Sequence, residues 1–172
     1  TPSWAGSPRS SRGSLSSKSA VLSGTTVDLV GGLSVTGSGA GALTISSQIT
    51  GATGSLTINR TDLNYISTIG LTSTTANTFA GGVTVQSGIL SMSNSANLGA
   101  GTLTVATTGI GYQANGEVRM SATGQTINNP ITVNNGATYN VTTGSTYVIG
   151  SAISGQGGFN IGSYSLSNAI PL

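Results

Sequence analysis

The chain has no cysteine and no histidine among its 172 residues. Disulfides, thiolate nucleophiles, histidine general bases and Cys/His metal sites are therefore excluded. Charged residues account for only 5% of the chain, whereas about a quarter is usual for globular domains. Because 36% of the residues are hydrophobic and the net charge is only +2, the composition still favours a folded chain. Serine, threonine, asparagine and glycine supply its polarity, which suits stacked strands and tight turns.

Long apolar runs are also missing. No run approaches the ~20 residues that a membrane-spanning helix needs, so the sequence predicts no transmembrane segment in this chain. The basic start is not followed by the apolar stretch of a signal peptide. Any export signal is therefore expected to have been removed or to lie outside this chain.

The sequence pI of about 9.3 comes from an uneven distribution of charge. Arg9, Arg12 and Lys18 lie near the start, and downstream only Arg60 and Arg119 are basic. Binding of nucleic acid needs several clustered cations to neutralise phosphates, and the body of the chain has no such cluster. The sequence therefore predicts no nucleic-acid partner.

Short alternating segments dominate the rest of the chain. Val83 and Val85 fall on one side of a predicted strand, with Thr84 and Gln86 on the other. Strands this short cannot each supply a core, so they are expected to stack on one another as turns of a β-solenoid. The residues expected to point inward are Val83, Val85, Leu90, Met92, Leu103, Val105, Ile131 and Val133, and those expected to point outward are Thr84, Gln86, Thr104 and Thr132.

An approximate internal repeat supports this architecture. Residues 42–58 resemble residues 146–161, with Ile45 matching Ile149 at an offset of 104 positions. That offset equals about five coils of ~20 residues, and predicts roughly seven coils in all. Residues 1–20 are predicted to be a flexible, basic, Ser-rich leader or docking arm, and residues 21–172 the solenoid domain.

Turn signals separate the predicted strands. The pairs Gly31-Gly32, Gly81-Gly82 and Gly157-Gly158 are placed at sharp corners, where a Cβ would clash. Asn128-Asn129 and Asn134-Asn135-Gly136 are further turn signals, and their amides are suited to laddering between coils. Residues 60–69 have some helical spacing, but their threonine and isoleucine content favours a loop or a bulged strand.

One pattern recurs in residues 77–105 and 127–159. It reads Asn77-Thr-Phe-Ala-Gly-Gly-Val-Thr-Val, then Leu98-Gly-Ala-Gly-Thr-Leu-Thr-Val. This pattern resembles the passenger-associated transport repeat of bacterial autotransporter proteins. The resemblance covers about residues 38–162. It implies a right-handed parallel β-helix displayed outside the cell in association with the bacterial outer membrane. The repeats of that family are scaffold, so the resemblance assigns no catalytic residue.

Few residues are suited to catalysis. The candidate groups are Asp28, Asp62 and Glu117, with Arg60 and Arg119, and a working carboxylate pair needs ~5 to 9.5 Å between its members. The interpretation favoured here is that Arg60 with Asp62, and Glu117 with Arg119, form solvated local pairs. The sequence accordingly predicts no enzyme activity, no cofactor and no metal site.

Two kinds of surface were also considered. Thr102 and Thr104 form a Thr-x-Thr motif, but no register over successive coils is visible in the sequence, so a flat ice-binding face is not expected. Most aromatic residues are expected in the core or between coils rather than in a carbohydrate-binding ridge. The aromatic residues concerned are Tyr65, Phe79, Tyr112, Tyr139, Tyr147, Phe159 and Tyr164.

These observations favour an extracellular or cell-surface structural protein that scaffolds a surface layer, filament or larger assembly. An adhesin that binds glycans or a protein through a side face is the main alternative, and a polysaccharide-acting enzyme is a third. The ends lack charged caps, so association with other subunits or with further copies is expected there. The residues expected to take part are Trp4, Arg9, Arg12, Ile170 and Leu172.

Overall fold

A computed structural model describes residues 19–37, 40–60, 67–107, 116–142 and 147–162. Within this part the chain is almost entirely β-structure, with one short 3-10 helix at Ser95–Leu98 and no α-helix. The strands are β1 (Ala20–Leu22), β2 (Thr26–Asp28), β3 (Gly32–Gly37), β4 (Leu43–Ile45), β5 (Gln48–Thr50), β6 (Ser55–Arg60), β7 (Thr68–Leu71), β8 (Val83–Met92), β9 (Leu103–Val105), β10 (Gly116–Met120), β11 (Gln125–Ile127), β12 (Ile131–Val133), β13 (Thr138–Thr142), β14 (Tyr147–Ile149), β15 (Ile153–Gly155) and β16 (Gly158–Gly162).

Every pairing between these strands is parallel, and each joins one turn of the chain to the next. Three faces result. Face A contains β1, β4, β7, the second half of β8, β10, β13 and β16. Face B contains the pairs β2–β5 and β11–β14. Face C contains β3, β6, the first half of β8, β9, β12 and β15. The protein is therefore a parallel β-solenoid, as predicted.

The solenoid has about five turns. Face C shows this directly, because its six strands are separated by five steps from one turn to the next. The predicted number of roughly seven was too high, because a turn takes more than the ~20 residues assumed. Paired positions on successive turns of face A lie between 20 residues apart (Val141 and Ile161) and 28 residues apart (Leu90 and Val118).

The interior is filled by side chains stacked in register. On face C one inward file runs through Leu56, Val83, Leu103 and Ile131, each directly beside the next, and all four are buried. All eight residues predicted to point inward are at most 2% exposed. The four predicted to point outward are half-buried rather than fully exposed. Strand alternation thus places the apolar atoms inside, and turn-to-turn stacking partly covers the outer side chains.

The internal repeat lies out of phase with the solenoid. Ile45 pairs within face A, whereas its counterpart Ile149 pairs within face B. The repeated segments therefore do not sit directly above one another, and the offset is not a whole number of turns. What they share is a corner: Gly51 and Gly155 both have positive φ, at 134° and 109°.

Two sequence predictions fall partly or wholly outside the described residues. Residues 60–69 include the ends of β6 and β7, but 61–66 between them are not described. The predicted leader or docking arm (residues 1–20) lies outside the described residues except for residues 19 and 20. Strand β1 begins at Ala20, one residue before the predicted start of the solenoid domain.

Candidate functional site

A row of hydroxyl side chains runs along the outside of face C and is named here the hydroxyl file. Its members occupy the central outward position of successive strands, directly beside one another in the pairing register. Because parallel strands are spaced about 4.8 Å apart, the hydroxyl groups recur at that interval. The members of the hydroxyl file are Ser34, Thr57, Thr84, Thr104, Thr132 and Ser154.

The members of this file differ in whether their hydroxyl groups are already hydrogen-bonded. At one end, the Oγ atoms of Thr132 and Ser154 lie 3.3 Å apart, and Ser154 Oγ also donates to the carbonyl of Ile131. In the middle, Thr57, Thr84 and Thr104 form no side-chain hydrogen bond within the described part of the chain, so their hydroxyl groups are available to a ligand. Their β-branched side chains also have restricted rotamers, so their groups are held in a regular array.

Face C carries almost no charge. Its described strands contain a single ionisable side chain, Arg60 at the end of β6. The Arg60 guanidinium donates to the Thr36 carbonyl at 3.2 Å and to Ser67 Oγ at 3.1 Å. This arginine connects neighbouring turns at the corner beside face C.

The Thr-x-Thr motif (Thr102 and Thr104) stacks on threonines of the neighbouring turns at only one of its two positions. This stacking was not visible in the sequence. Thr104 belongs to the hydroxyl file. The positions beside Thr102 on the adjacent turns are Gly82 and Pro130, which precede β8 and β12 as Thr102 precedes β9. The Val83 N–H donates to the Thr102 carbonyl, and the Leu103 N–H donates to the Pro130 carbonyl. The second column of threonines that an ice-binding face would need is therefore not present on face C.

A second polar feature lies inside the solenoid, where turns on face B lack strand pairing. Asn77 Oδ1 accepts from the amide N–H of Ile49 at 2.8 Å, and its Nδ2 donates to the Asn97 carbonyl at 2.8 Å. Asn97 is fully buried; its Nδ2 donates to the Ser73 carbonyl at 2.9 Å, and its Oδ1 accepts from the Asn94 amide N–H at 3.0 Å. These amides add to the backbone hydrogen bonds that connect the turns here, such as Thr78 N–H to the Ile49 carbonyl at 2.8 Å. Because their polar atoms are hydrogen-bonded, buried asparagine is tolerated.

The role of this amide network was only partly anticipated. Asn129 was predicted to ladder between coils, and its Nδ2 does donate to the carbonyls of Gly99 and Gly101, at 3.0 and 2.7 Å. Asn94 and Asn97 were not singled out. The two asparagines are three residues apart at the 3-10 helix, and each side chain contacts the other's backbone. The Asn-x-x-Asn spacing was the signal for this contact that the sequence offered.

The two candidate acidic residues that the structure describes, Asp28 and Glu117, are not brought together. Asp28 is exposed on face B in the first turn and accepts from Thr50 Oγ1 at 3.1 Å, whereas Glu117 belongs to β10 of face A. Asp62 lies outside the described residues. No group of three or more potential metal-ligating side chains occurs in the part of the chain that is described.

The predicted Glu117–Arg119 pair is present, with 2.6 Å between Arg119 Nε and Glu117 Oε1. The prediction that it is solvated is wrong for the carboxylate, because the Glu117 side chain is only 4% exposed. Glu117 pairs in register with Ile89, which is also buried. These two neighbouring positions of face A are therefore closed to solvent, whereas the Arg119 side chain is 32% exposed.

Several predicted positions cannot be placed. The residues predicted to act in assembly (Trp4, Arg9, Arg12, Ile170 and Leu172) all lie outside the described residues. Of the aromatic residues, Phe79 and Tyr139 are fully buried, which confirms the predicted core role for those two. Over the described ranges, no helix has the length and apolar character required to traverse a bilayer.

Comparisons with known proteins add no relative: no family model, no curated protein and no solved structure matches this chain. The resemblance to the autotransporter passenger repeat therefore rests on the residue pattern alone. The fold and the site together define the class of this protein: it is a parallel β-solenoid with a neutral side face lined by hydroxyl groups.

Proposed function

We propose that this chain is a non-catalytic, extracellular structural protein whose solenoid scaffolds a surface layer, filament or larger assembly. The observation that carries the proposal is the uninterrupted parallel pairing of face A from β1 to β16. Each turn is hydrogen-bonded to its neighbours, so the rod resists bending and presents its side faces at fixed spacing. A cysteine-free, charge-poor chain that resembles passenger repeats is consistent with a location outside the cell.

Assembly through the ends of the rod is part of this proposal. Within the described residues, β1 pairs only with β4, and all three residues of β1 are exposed. Leu22 pairs with the buried Ile45 yet is 41% exposed, so the apolar interior is open at this end. An edge of this kind accepts a further strand through its free backbone groups.

The test compares the intact chain with a version lacking residues 1–18, which leaves β1 complete, and with the single variant Trp4→Ala. Sedimentation and electron microscopy over rising protein concentration would follow association, and circular dichroism would confirm that each version remains folded. We expect the intact chain to form concentration-dependent oligomers or filaments that the deletion and Trp4→Ala weaken. Monodisperse monomers for all three versions at tens of micromolar would contradict assembly through the arm and ends.

Adhesion through a side face is a second candidate, which the hydroxyl file favours. An uncharged array of hydroxyl groups offers hydrogen bonds without an electrostatic preference for acidic polymers. Its regular spacing is suited to a neutral polysaccharide, whose own hydroxyl groups recur along the chain. On this alternative the rod displays face C to a surface glycan, and its ends need not associate.

Co-sedimentation with insoluble neutral glucans, beside an acidic polysaccharide, would test adhesion. The variant Thr84→Asp/Thr104→Asp places two carboxylates in the hydroxyl file. Thr44→Asp is its matched control, since Thr44 is half-buried at an outward position of face A. We expect the double variant to lose roughly ten-fold or more of the binding to neutral glucan, because each carboxylate must be desolvated. Equal losses for the variant and its control would contradict a role for face C.

A further inference from the structure

The chain contains two Asn-Gly dipeptides, Asn115-Gly116 and Asn135-Gly136. We propose that Asn135-Gly136 is a site of spontaneous covalent modification in the folded protein, where Asn135 converts to aspartate and isoaspartate. The site lies in the turn between β12 on face C and β13 on face A. This inference does not depend on the function proposed above.

The reaction needs a free backbone nitrogen beside an unhindered side-chain amide. The deprotonated amide nitrogen of Gly136 attacks Cγ of Asn135, so that a C–N bond forms in a five-membered succinimide and the Cγ–Nδ2 bond breaks with loss of ammonia. Water then adds to either carbonyl of the ring, and the ring opens to aspartate or isoaspartate. Glycine favours this attack because it has no side chain to obstruct the approach.

The surroundings of Asn135-Gly136 meet these requirements. Both residues are exposed, and Gly136 has a φ of 78°. The turn is closed by the Ala137 N–H, which donates to the Asn134 carbonyl at 2.9 Å. Within the described part of the chain, neither the Gly136 N–H nor the Asn135 side chain is used in a hydrogen bond. The closest atom to a Cβ added at Gly136 would be the side-chain atom Thr107 Cγ2, at 3.4 Å, so no backbone atom of another turn encloses this glycine.

The second Asn-Gly dipeptide provides a contrast within the same chain. The Gly116 N–H donates to the Ala106 carbonyl at 3.0 Å, and Gly116 is buried. A Cβ there would lie 2.1 Å from the Val85 carbonyl oxygen, so the backbone is tightly enclosed. Attack by this nitrogen first requires its hydrogen bond to the Ala106 carbonyl to break. Asn115 itself lies outside the described residues, and the contrast rests on its glycine partner.

Modification would change the local electrostatics of a charge-poor protein. Conversion of Asn135 adds one negative charge at the corner where face C ends, one residue beyond Asn134. The formal net charge would fall from +2 to +1. Isoaspartate would also lengthen the backbone in a turn that the Ala137–Asn134 hydrogen bond closes.

The experiment is incubation of the full chain at mildly alkaline pH and raised temperature, below its unfolding transition, followed by proteolysis and mass spectrometry. Modified peptides are about 1 Da heavier, and isoaspartate is separated by chromatography. We expect the Asn135 peptide to convert roughly ten-fold or more faster than the Asn115 peptide in the native chain. In denaturant the two should convert at similar rates. Asn135→Gln is the control that should remove the fast modification without changing charge.

Similar native rates at Asn115 and Asn135 would overturn the proposal. It would equally be overturned if the native chain left Asn135 unmodified while the denatured chain converted it. A ten-fold difference that persists in denaturant would assign the selectivity to local sequence rather than to the fold, and would also count against it.

Discussion

At the scale of single residues, the direction of each side chain decides what a substitution does. Val85 is fully buried in the interior of the solenoid, whereas its neighbour Thr84 is a half-buried member of the hydroxyl file. Val85→Asp would place an unpaired carboxylate in the apolar interior and should cost several kcal/mol, about 3 or more. Thr84→Asp should cost about 1 kcal/mol or less. Thermal and denaturant unfolding of the two variants, which carry the same new side chain one position apart, would measure the difference. Equal losses of stability would mean that this register is wrong.

The buried amides make a second residue-scale prediction. Asn97→Ala removes the acceptor of the Asn94 amide N–H and of Ser93 Oγ, and one of the two side-chain donors to the Ser73 carbonyl. Because Asn97 is fully buried, leaving the Asn94 N–H without its partner and opening a cavity should cost about 2–4 kcal/mol. Asn134→Ala is the matched control, since Asn134 is exposed and only its backbone is hydrogen-bonded, and it should change stability by about 0.5 kcal/mol or less. Comparable urea midpoints for the two variants would contradict a structural role for the network.

The sequence indicates side-chain direction well but burial on the outer faces poorly. Alternation identified the inward residues of β8, β9 and β12, because a period of two is a property of the strand itself. The spacing of Glu117 and Arg119 likewise indicated that they pair. It did not indicate that Glu117 is buried, since its exposure depends on residues that are distant in sequence.

At the scale of elements, glycines at different corners of the solenoid differ in how closely the neighbouring turn approaches them. Gly51 has a φ of 134°, and a Cβ there would lie 2.1 Å from the Leu29 carbonyl oxygen in the preceding turn. Gly31, in the pair Gly31-Gly32, was predicted to occupy a crowded corner, but nothing lies within 4 Å of its added Cβ. Gly51 is a single glycine that was not predicted as such a corner, and its crowding comes from Leu29 in the preceding turn, whereas Gly31 lies in the first described turn.

The corners can be tested directly with one pair of variants. Gly51→Ala should lower the free energy of unfolding by about 2 kcal/mol or more, because both the backbone angle and the available space disfavour a side chain. Gly31→Ala should change it by about 1 kcal/mol or less, and an increase is compatible with the reduced entropy of the unfolded chain. Denaturant unfolding measured on both variants would decide. A Gly31→Ala loss as large as that of Gly51→Ala would show that the corner is defined by local conformation rather than by stacking.

Among the elements, the sequence predicted strands and their order but not their faces. β8 is the clearest case, since the alternating residues 83–92 form one strand that serves face C first and face A afterwards. A bulge opposite β6 and the positive φ of Gly88 mark the change of face. The corners between faces A, B and C all carry similar glycine and asparagine signals, so the sequence does not distinguish one face from another. For the same reason the internal repeat aligned Ile45 of face A with Ile149 of face B.

At the scale of the whole molecule, the solenoid follows from strands too short to form separate cores. Its number of turns was harder to predict, because corner segments of different length change the number of residues in each turn. The hydroxyl file emerges only at this scale. Thr57, Thr84, Thr104 and Thr132 are separated by 27, 20 and 28 positions, so no fixed period aligns them, yet the pairing brings them side by side.

The central claim is that face C is a rigid, in-register stack, and spin-label distance measurements test it most directly. The chain has no cysteine, so Ser154→Cys can be combined in turn with Thr84→Cys, Thr57→Cys and Ser34→Cys without background labelling. These partners lie three, four and five strands from Ser154 along the hydroxyl file. Narrow distance distributions are expected near 14, 19 and 24 Å, rising by about 4.8 Å per turn. Broad distributions, or distances that do not rise in this order by nearly equal steps, would contradict the stacked solenoid and the face proposed for it.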